Sequence, residues 1–134
     1  MSDWNTAVIE EFRANDGRVA QFGDAPLVIL HTIGAKSGER RDIPLVMMVD
    51  EGRRFVFASA AGSPRHPDWY HNLLATPEID VEFGHETIRA RLSPLEEADR
   101  AARLDQQAAL MPQFGDYITS AAPRLIPVFE IVPV

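Results

Sequence analysis

Between residues 27 and 32 almost every side chain is apolar or β-branched, and 43–49 and 55–59 share the pattern. Short dense runs of this kind, separated by a charged loop and by the Asp50-Glu51-Gly52 turn, predict three consecutive antiparallel strands. Upstream, Val8, Ile9 and Phe12 recur at helical spacing within 6–14, with Asn5 as N-cap and Asn15-Asp16-Gly17 as the stop. Such an oily stripe packs across the end of a sheet or barrel; its other use is contact with a membrane surface. Further on, Pro67 suits the first turn of a helix over 68–75 that Thr76-Pro77 ends. Ile79, Val81 and Phe83 alternate with acids, Gly84-His85 turns the chain, and 87–92 returns with Ile88 and Ala90 against Arg89 and Arg91. That is a hairpin with one wet face. Ser93-Pro94-Leu95-Glu96 has capping-box spacing with proline at the first helical position, predicting a helix that opens there and runs through Leu104 to about 109. A short segment at 112–121 carries Phe114 and Tyr117, and 126–132 supplies a last strand.

The resulting order is helix, three strands, helix, two strands, helix and strand, an α+β chain whose short connections suit an antiparallel barrel of about six strands closed by its C-terminal strand. A parallel doubly wound sheet would need a crossover helix between successive strands. No internal repeat or low-complexity linker divides the chain. With 134 residues and 46% hydrophobic content, one domain spanning 1–134 is expected.

Composition narrows the chemistry. Acids outnumber bases 20 to 13, which argues against a nucleic-acid surface. The absence of cysteine removes disulfides, thiolate metal sites and cysteine nucleophiles. The N-terminal Met1-Ser2-Asp3-Trp4-Asn5 has no basic segment leading into an apolar run, and no stretch approaches the roughly 20 apolar residues of a membrane span. A cytoplasmic protein is therefore expected. His66 and His71 are five apart, wrong for two ligands on one helical face, and no metal site is expected; His31 and His85 read as structural or exposed.

Against a net charge of -7, the loop Gly34-Ala35-Lys36-Ser37-Gly38-Glu39-Arg40-Arg41 gathers three cations, among them the chain's one lysine. A tight glycine-containing turn presents a concave run of backbone N–H groups, and a neighbouring ammonium and guanidinium make it a phosphate or carboxylate receptor. A solvated hairpin turn is the plainer alternative. The loop lacks the Gly-x-x-x-x-Gly-Lys-Ser pattern of an NTPase phosphate loop, and a strand follows it instead of a helix. Ser63, His66 and Asp68 lack a nucleophile-elbow context, so a hydrolytic triad is not expected.

Three groups of residues together resemble a known family. They are Pro26-Leu27-Val28-Ile29-Leu30-His31-Thr32-Ile33-Gly34-Ala35-Lys36-Ser37-Gly38 with Arg41 and Pro44-Leu45, then Gly62-Ser63-Pro64-Arg65-His66-Pro67-Asp68-Trp69-Tyr70-His71-Asn72-Leu73, and finally Ile126-Pro127-Val128. In this order they resemble the deazaflavin-dependent nitroreductases, the coenzyme F-420-dependent relatives of flavin-binding split-barrel proteins, over nearly the whole chain. The resemblance implies an antiparallel split β-barrel that binds the reduced deazaflavin and passes a hydride to a quinone, an activated enone or lactone, or a nitroaromatic compound. It implies that Ala35, Lys36, Ser37 and Arg41 hold the cofactor's phosphate and oligoglutamate tail. Pro44, Leu45 and Val46 would line the approach to the ring, Phe57, Ala58, Ser59 and Ala60 would pass its polar edge, and Trp69, Tyr70, His71 and Asn72 would close the site. Ala35 and Val46 depart from the polar and bulkier residues common in the family.

Within that resemblance Ser59 and Tyr117 are the catalytic candidates, Ser59 as a polar contact near the ring and Tyr117 as the group that orients or protonates substrate. Trp4, Phe12, Phe114 and Tyr117 are candidate substrate walls. Two other readings stay open: a split-barrel oxidoreductase that binds flavin mononucleotide (FMN) on Lys36 and Arg41, and a non-catalytic deazaflavin carrier. A monomer is slightly favoured over a homodimer.

Overall fold

The computed structural model describes residues 3–134, with side chains from residue 5 onward. In chain order they form α1 (Asp3–Ala14), β1 (Leu27–Ile33), β2 (Arg40–Asp50), β3 (Arg53–Phe57), α2 (Asp68–Ala75), β4 (Glu78–Phe83), β5 (Glu86–Pro94), α3 (Glu97–Leu110), α4 (Gln113–Ala121) and β6 (Val128–Pro133). Short 3-10 turns lie at Ala20–Phe22 and Ala60–Gly62. The strands make a closed antiparallel barrel in the order β1-β2-β3-β6-β5-β4, with β4 paired back to β1. As expected, β1 to β3 form a meander, β4 and β5 a hairpin, and the C-terminal strand closes the barrel.

Side-chain alternation assigns each strand's two faces. From β1, Val28 and Leu30 enter the barrel interior, while Leu27 and Ile29 face outward under α1. Burial on both faces explains why 27–30 reads as an unbroken apolar run. From β3, Val56 points inward and Phe55 and Phe57 point out beneath α3 and α4, where they meet Leu104, Phe114 and Ala121. The stripe of α1 is consumed in this way: Val8, Ile9 and Phe12 are buried against Val19, Leu27 and Ile29. No part of that stripe is left to lie on a membrane, and no helix among the described residues is long and apolar enough to cross one.

One local expectation is overturned. Ser93 and Pro94 do not open a helix; they extend β5, pairing with Glu130 and Phe129 of β6, and the Leu95 N–H donates to the Val128 carbonyl at 2.9 Å. The helix starts at Glu97, with no side-chain cap. A capping box contributes on the order of 1 kcal/mol, less than the ladder bonds and buried neighbours gained by closing a barrel. Proline is tolerated at the end of the strand because the next ladder bond is donated by Leu95, so none is required from position 94.

A salt-bridge network ties α1 to the barrel. Arg13, in the last turn of α1, forks onto Glu82 of β4 through Nε (3.1 Å) and one terminal nitrogen (2.7 Å), and reaches Asp42 of β2 at 3.1 Å. Arg40 forks onto Asp42 at 2.7 and 2.9 Å, and His31 Nε2 lies 2.5 Å from Glu82. Although His31, Asp42 and Glu82 bring ligand-type atoms within 4.8 Å of one another, both carboxylates are occupied by guanidinium donors. Hydrogen bonds from Arg13 hold Glu82 below its ordinary value of 4.5, against an opposing effect of burial. Burial pushes Asp42 up, and the hydrogen bonds from Arg40 and Arg13 with the neighbouring His31 outweigh it to leave Asp42 lowered.

A carboxyl whose folded-state pKa is depressed adds stability above its unfolded value and loses it as pH falls through the folded value. Urea denaturation should show Glu82→Gln less stable than the parent by about 1–2 kcal/mol at pH 7. The two curves should converge as pH drops through and below 4.5, where the parent Glu82 also takes a proton. A gap that stays constant down to pH 3 contradicts this assignment.

Candidate functional site

The basic loop is a tight turn joining β1 to β2. Gly34 donates its N–H to the Glu39 carbonyl at 2.8 Å, Gly38 donates back to the Gly34 carbonyl at 2.9 Å, and Ser37 Oγ accepts the Glu39 N–H at 3.1 Å. A Cβ on Gly34 would sit 2.4 Å from Ser37 Oγ and would displace that hydroxyl from the turn. Its outer edge is pinned by α2, because Asn72, nearly buried, accepts the Ala35 N–H on Oδ1 at 2.9 Å.

Strand alternation then separates the cations. Arg40 turns to one face and is neutralised by Asp42, while Arg41 turns to the other. Lys36 and Arg41 have no carboxylate partner among the described residues, and they border a depression of about 720 Å³ with Gly34, Ala35, Ser37, Asp68, His71 and Asn72. This depression continues past Thr32, Arg41, Asp68 and Asn72 into a neck of about 210 Å³. Through Ile43 and Trp69 the neck opens into a cavity of about 550 Å³. The groove thus runs from a cationic mouth to an apolar end.

Ile43, Pro44, Leu45 and Val46 of β2 form one wall of the apolar end, and Phe57, Ser59, Ala60 and Ala61 its floor. Trp69 of α2 borders it while packing 6.2 Å from Phe129 inside the barrel. Across from them α4 supplies Phe114, edge-on to Phe57 at 5.6 Å, and Tyr117, edge-on to Phe114 at 5.1 Å. A flat conjugated ring fits a slot of this lining and volume. Among the described residues Asp68 is the one carboxylate bordering either the groove or the polar depression near it, and it lines both the mouth and the neck.

The structure therefore gathers Ala35, Lys36, Ser37, Arg41, His71 and Asn72 at the mouth. It gathers Pro44, Leu45, Val46, Phe57, Ser59, Ala60, Trp69, Phe114 and Tyr117 at the apolar end. Three expected residues lie elsewhere. Phe12 is fully buried between α1 and β1, because its helix turns that stripe inward. Ala58 is fully buried in the barrel interior, as alternation requires of the residue next to Phe57. Tyr70 stacks on His66 at 4.2 Å and packs toward Phe129, and it borders no part of the groove. The Trp4 side chain falls outside the described residues.

Several lining residues carry no motif of their own. Ile43 and Thr32 were readable as strand residues, but their facing the groove depends on the β1–β2 register; Met111 and Gln113 reach it only through the packing of α3 and α4 on β3. Behind the floor lies a second, polar depression of about 780 Å³ bordered by Ser63, Arg65, His66, His71 and Arg124. Burial, then the nearby Arg124 and His71, lower the His66 pKa from 6.5. A guanidinium can only donate, so the 3.1 Å contact from Arg124 makes His66 Nδ1 an acceptor and places the ring proton on Nε2.

Burial separates the two phenylalanines. Phe12→Leu should lower the urea midpoint, by about 1–2 kcal/mol, and leave the affinity of an aromatic ligand in the groove unchanged. Phe114→Leu should change that affinity severalfold. Fluorescence titration of both variants, with stability measured alongside, decides whether the walls are assigned correctly.

A family model described as F420H(2)-dependent quinone reductase matches residues 4–133. The F420H(2)-dependent quinone reductase Rv1261c of Mycobacterium tuberculosis is 33% identical over 90 residues, 66% of this chain and 60% of the relative. The chain thus spans well under two thirds of that curated relative's length. A solved F420-H2 dependent reductase, FDR-A, superposes with a TM-score of 0.70 at 34% identity, covering 79% of this chain and 93% of the other. A second structure, described as a domain-swapped dimer, gives a TM-score of 0.71 at 32% identity and covers 96% and 97%. With its closed barrel and nearly its full length matched, the chain belongs to the F420H(2)-dependent quinone reductase family.

Proposed function

We propose that this protein is a single-domain reductase, residues 1–134, that transfers a hydride from reduced coenzyme F-420 to a quinone or a similar electron-poor acceptor in the cytoplasm. The observation that carries this reading is the groove itself: two cations with no carboxylate partner among the described residues lead through a neck to an aromatic-walled slot. A ligand with an anionic tail and a flat apolar head matches both ends, and the relatives' names supply the cofactor class. On the surface of a net-acidic chain, two exposed cations with no carboxylate partner among the described residues form a receptor for an anion.

The residues fit that cofactor. Lys36, Arg41, Ser37 and the turn's backbone hold its phosphate and carboxylates, and Asn72 keeps the turn in place. Asp68 and Asn72 offer polar contacts to the spacer between tail and ring. Pro44, Leu45, Val46 and Trp69 exclude water from the ring, and Phe114 and Tyr117 cover the other side and orient the acceptor. The bound cofactor supplies the hydride from its ring carbon. The chain's part is positioning, with the Tyr117 hydroxyl and the polar floor at Ser59 as the groups beside the acceptor's oxygens. The acceptor gains a hydride and takes a proton from water, leaving as a hydroquinone. The expectation of a monomer is not retained, because a relative of 32% identity forms a domain-swapped dimer.

Lys36→Ala should weaken coenzyme F-420 binding by about tenfold, more at low salt than at high salt, with little change in melting temperature. An unchanged dissociation constant removes Lys36 from the site. In the parent protein, tryptophan fluorescence should be quenched by coenzyme F-420 and not by micromolar FMN, and reduced-cofactor absorbance should fall rapidly when menadione is added. Quenching by FMN alone overturns the cofactor assignment, and decay no faster than the blank makes the protein a carrier.

A further inference from the structure

Arg124 lies between α4 and β6, and its guanidinium spends every bond on one stretch of chain. Nε donates to the Ser63 carbonyl at 3.0 Å. One terminal nitrogen donates to the Ala58 carbonyl at 3.0 Å and to His66 Nδ1 at 3.1 Å, and the other donates to the Ser59 and Ser63 carbonyls, both at 2.8 Å. None of these partners is a carboxylate. A guanidinium stays charged even in such surroundings, so a full positive charge sits behind the turn that floors the apolar slot.

Peptide geometry converts that arrangement into donors on the other side. The Ala58–Ser59 and Ser59–Ala60 peptides are trans, so the N–H of each points opposite to its C=O. With the carbonyls of Ala58 and Ser59 drawn onto Arg124, the N–H groups of Ser59 and Ala60 are turned away from it. Arg124 borders the polar depression behind the floor, whereas Ser59 borders the aromatic slot, and Ala60 borders both. Neither N–H has an acceptor among the described residues.

The backbone at this point is a right-handed then left-handed pair, Ser59 at φ -74 and Ala60 at φ 48, which makes a concave pair of donors suited to an anion. Ala61 is also left-handed at φ 52. Two alanines in that region cost about 1–2 kcal/mol each, so the turn must be held in place. Gly62, at φ 81, lets α4 approach so closely that a Cβ would lie 3.0 Å from the Tyr117 Cα, and Arg124 holds the carbonyls from behind.

We infer that the Ser59 and Ala60 N–H groups form an oxyanion receptor in the floor of the slot, and that Arg124 is the positioning residue that keeps it formed. The inference rests on the hydride-transfer reading given above. A hydride carries an electron pair from a ring carbon to the acceptor, so one negative charge moves with it. The acceptor that receives the hydride therefore carries an anionic oxygen conjugated to its ring until water protonates it. A reduced donor whose ring has already lost its acidic proton carries such an oxygen before transfer. Fixed donors backed by a charge that makes no other ion pair stabilise such an oxygen without reorganisation.

The test compares the parent protein with Arg124→Met and Arg124→Lys, checking each by thermal melting. Dissociation constants are measured by fluorescence for oxidised and reduced coenzyme F-420. With the oxidised cofactor bound, they are also measured for menadione and for 2-hydroxy-1,4-naphthoquinone, an anion at neutral pH. Arg124→Met should reduce by about tenfold either the ratio favouring the reduced cofactor or the ratio favouring the anionic naphthoquinone. The first result places the oxygen on the cofactor and the second on the acceptor. Arg124→Lys, which keeps the charge but cannot span three carbonyls, should fall between. Because Arg124→Met can fail to fold, Ser59→Pro is made as well: φ -74 suits proline, which deletes one N–H, and Ser59→Ala controls for the hydroxyl. Ser59→Pro should lose several-fold more of the ratio than Ser59→Ala, which removes the hydroxyl but keeps the N–H. Equal loss of affinity for all four ligands, or none, overturns the inference while leaving the enzymatic reading in place. A parent protein that binds neither redox form of the cofactor defeats that reading, and the receptor with it.

Discussion

Insertion of β6 between β3 and β5 is the constraint on which the rest of the molecule depends. Those two ladders bring the C-terminal residues of the chain against its middle and turn a curved meander into a barrel. They draw Ser93 and Pro94 into a strand against their local helical signal. They also bond the Ala58 N–H to the Pro127 carbonyl at 2.9 Å, which fixes where β3 ends and where the turn at 60–62 begins. Arg124 arrives beside that turn because β6 starts four residues later. Barrel closure therefore positions the floor of the groove as well as the core.

Charge is arranged with the same economy. A chain with net charge -7 separates its loop cations by the two-residue period of a strand. Arg40 joins Arg13, Asp42, Glu82 and His31 in a network that fastens α1 to β2 and β4, and Arg41 faces the groove with Lys36. A one-residue slip in the β1–β2 register would exchange the two arginines and put the unpaired charge on the wrong side. Stability and ligand recognition are thus set by one register.

At the other end, recognition is apolar and the polar groups are backbone. Phe57, Trp69, Phe114 and Tyr117 shape a slot with no carboxylate among the described residues that line it, where dipoles and the guanidinium behind them are the polar neighbours. Low polarity raises the worth of each correctly aimed donor and the cost of each misplaced one. The inferred floor of N–H groups suits the proposed reaction, in which negative charge moves between two rings.

Strand existence, the barrel class, the helix at 68–75 and the basic turn were legible in the sequence because each is written in local chemistry: alternation, proline and glycine placement, and a cluster of cations in an acidic chain. The mouth of the groove was legible for the same reason, since Lys36, Ser37 and Arg41 are neighbours along the chain. What only the tertiary structure decided were the matters that depend on residues far apart. Phe12 belongs to the core because α1 is clamped by Arg13 to Glu82, 69 positions away, and Ser93 is a strand residue because Glu130 lies opposite. Arg124 acts on Ser59 across 65 positions through carbonyls that no sequence pattern marks. Local propensities amount to about a kilocalorie per mole, and long-range pairing that closes a barrel outweighs them wherever the two disagree.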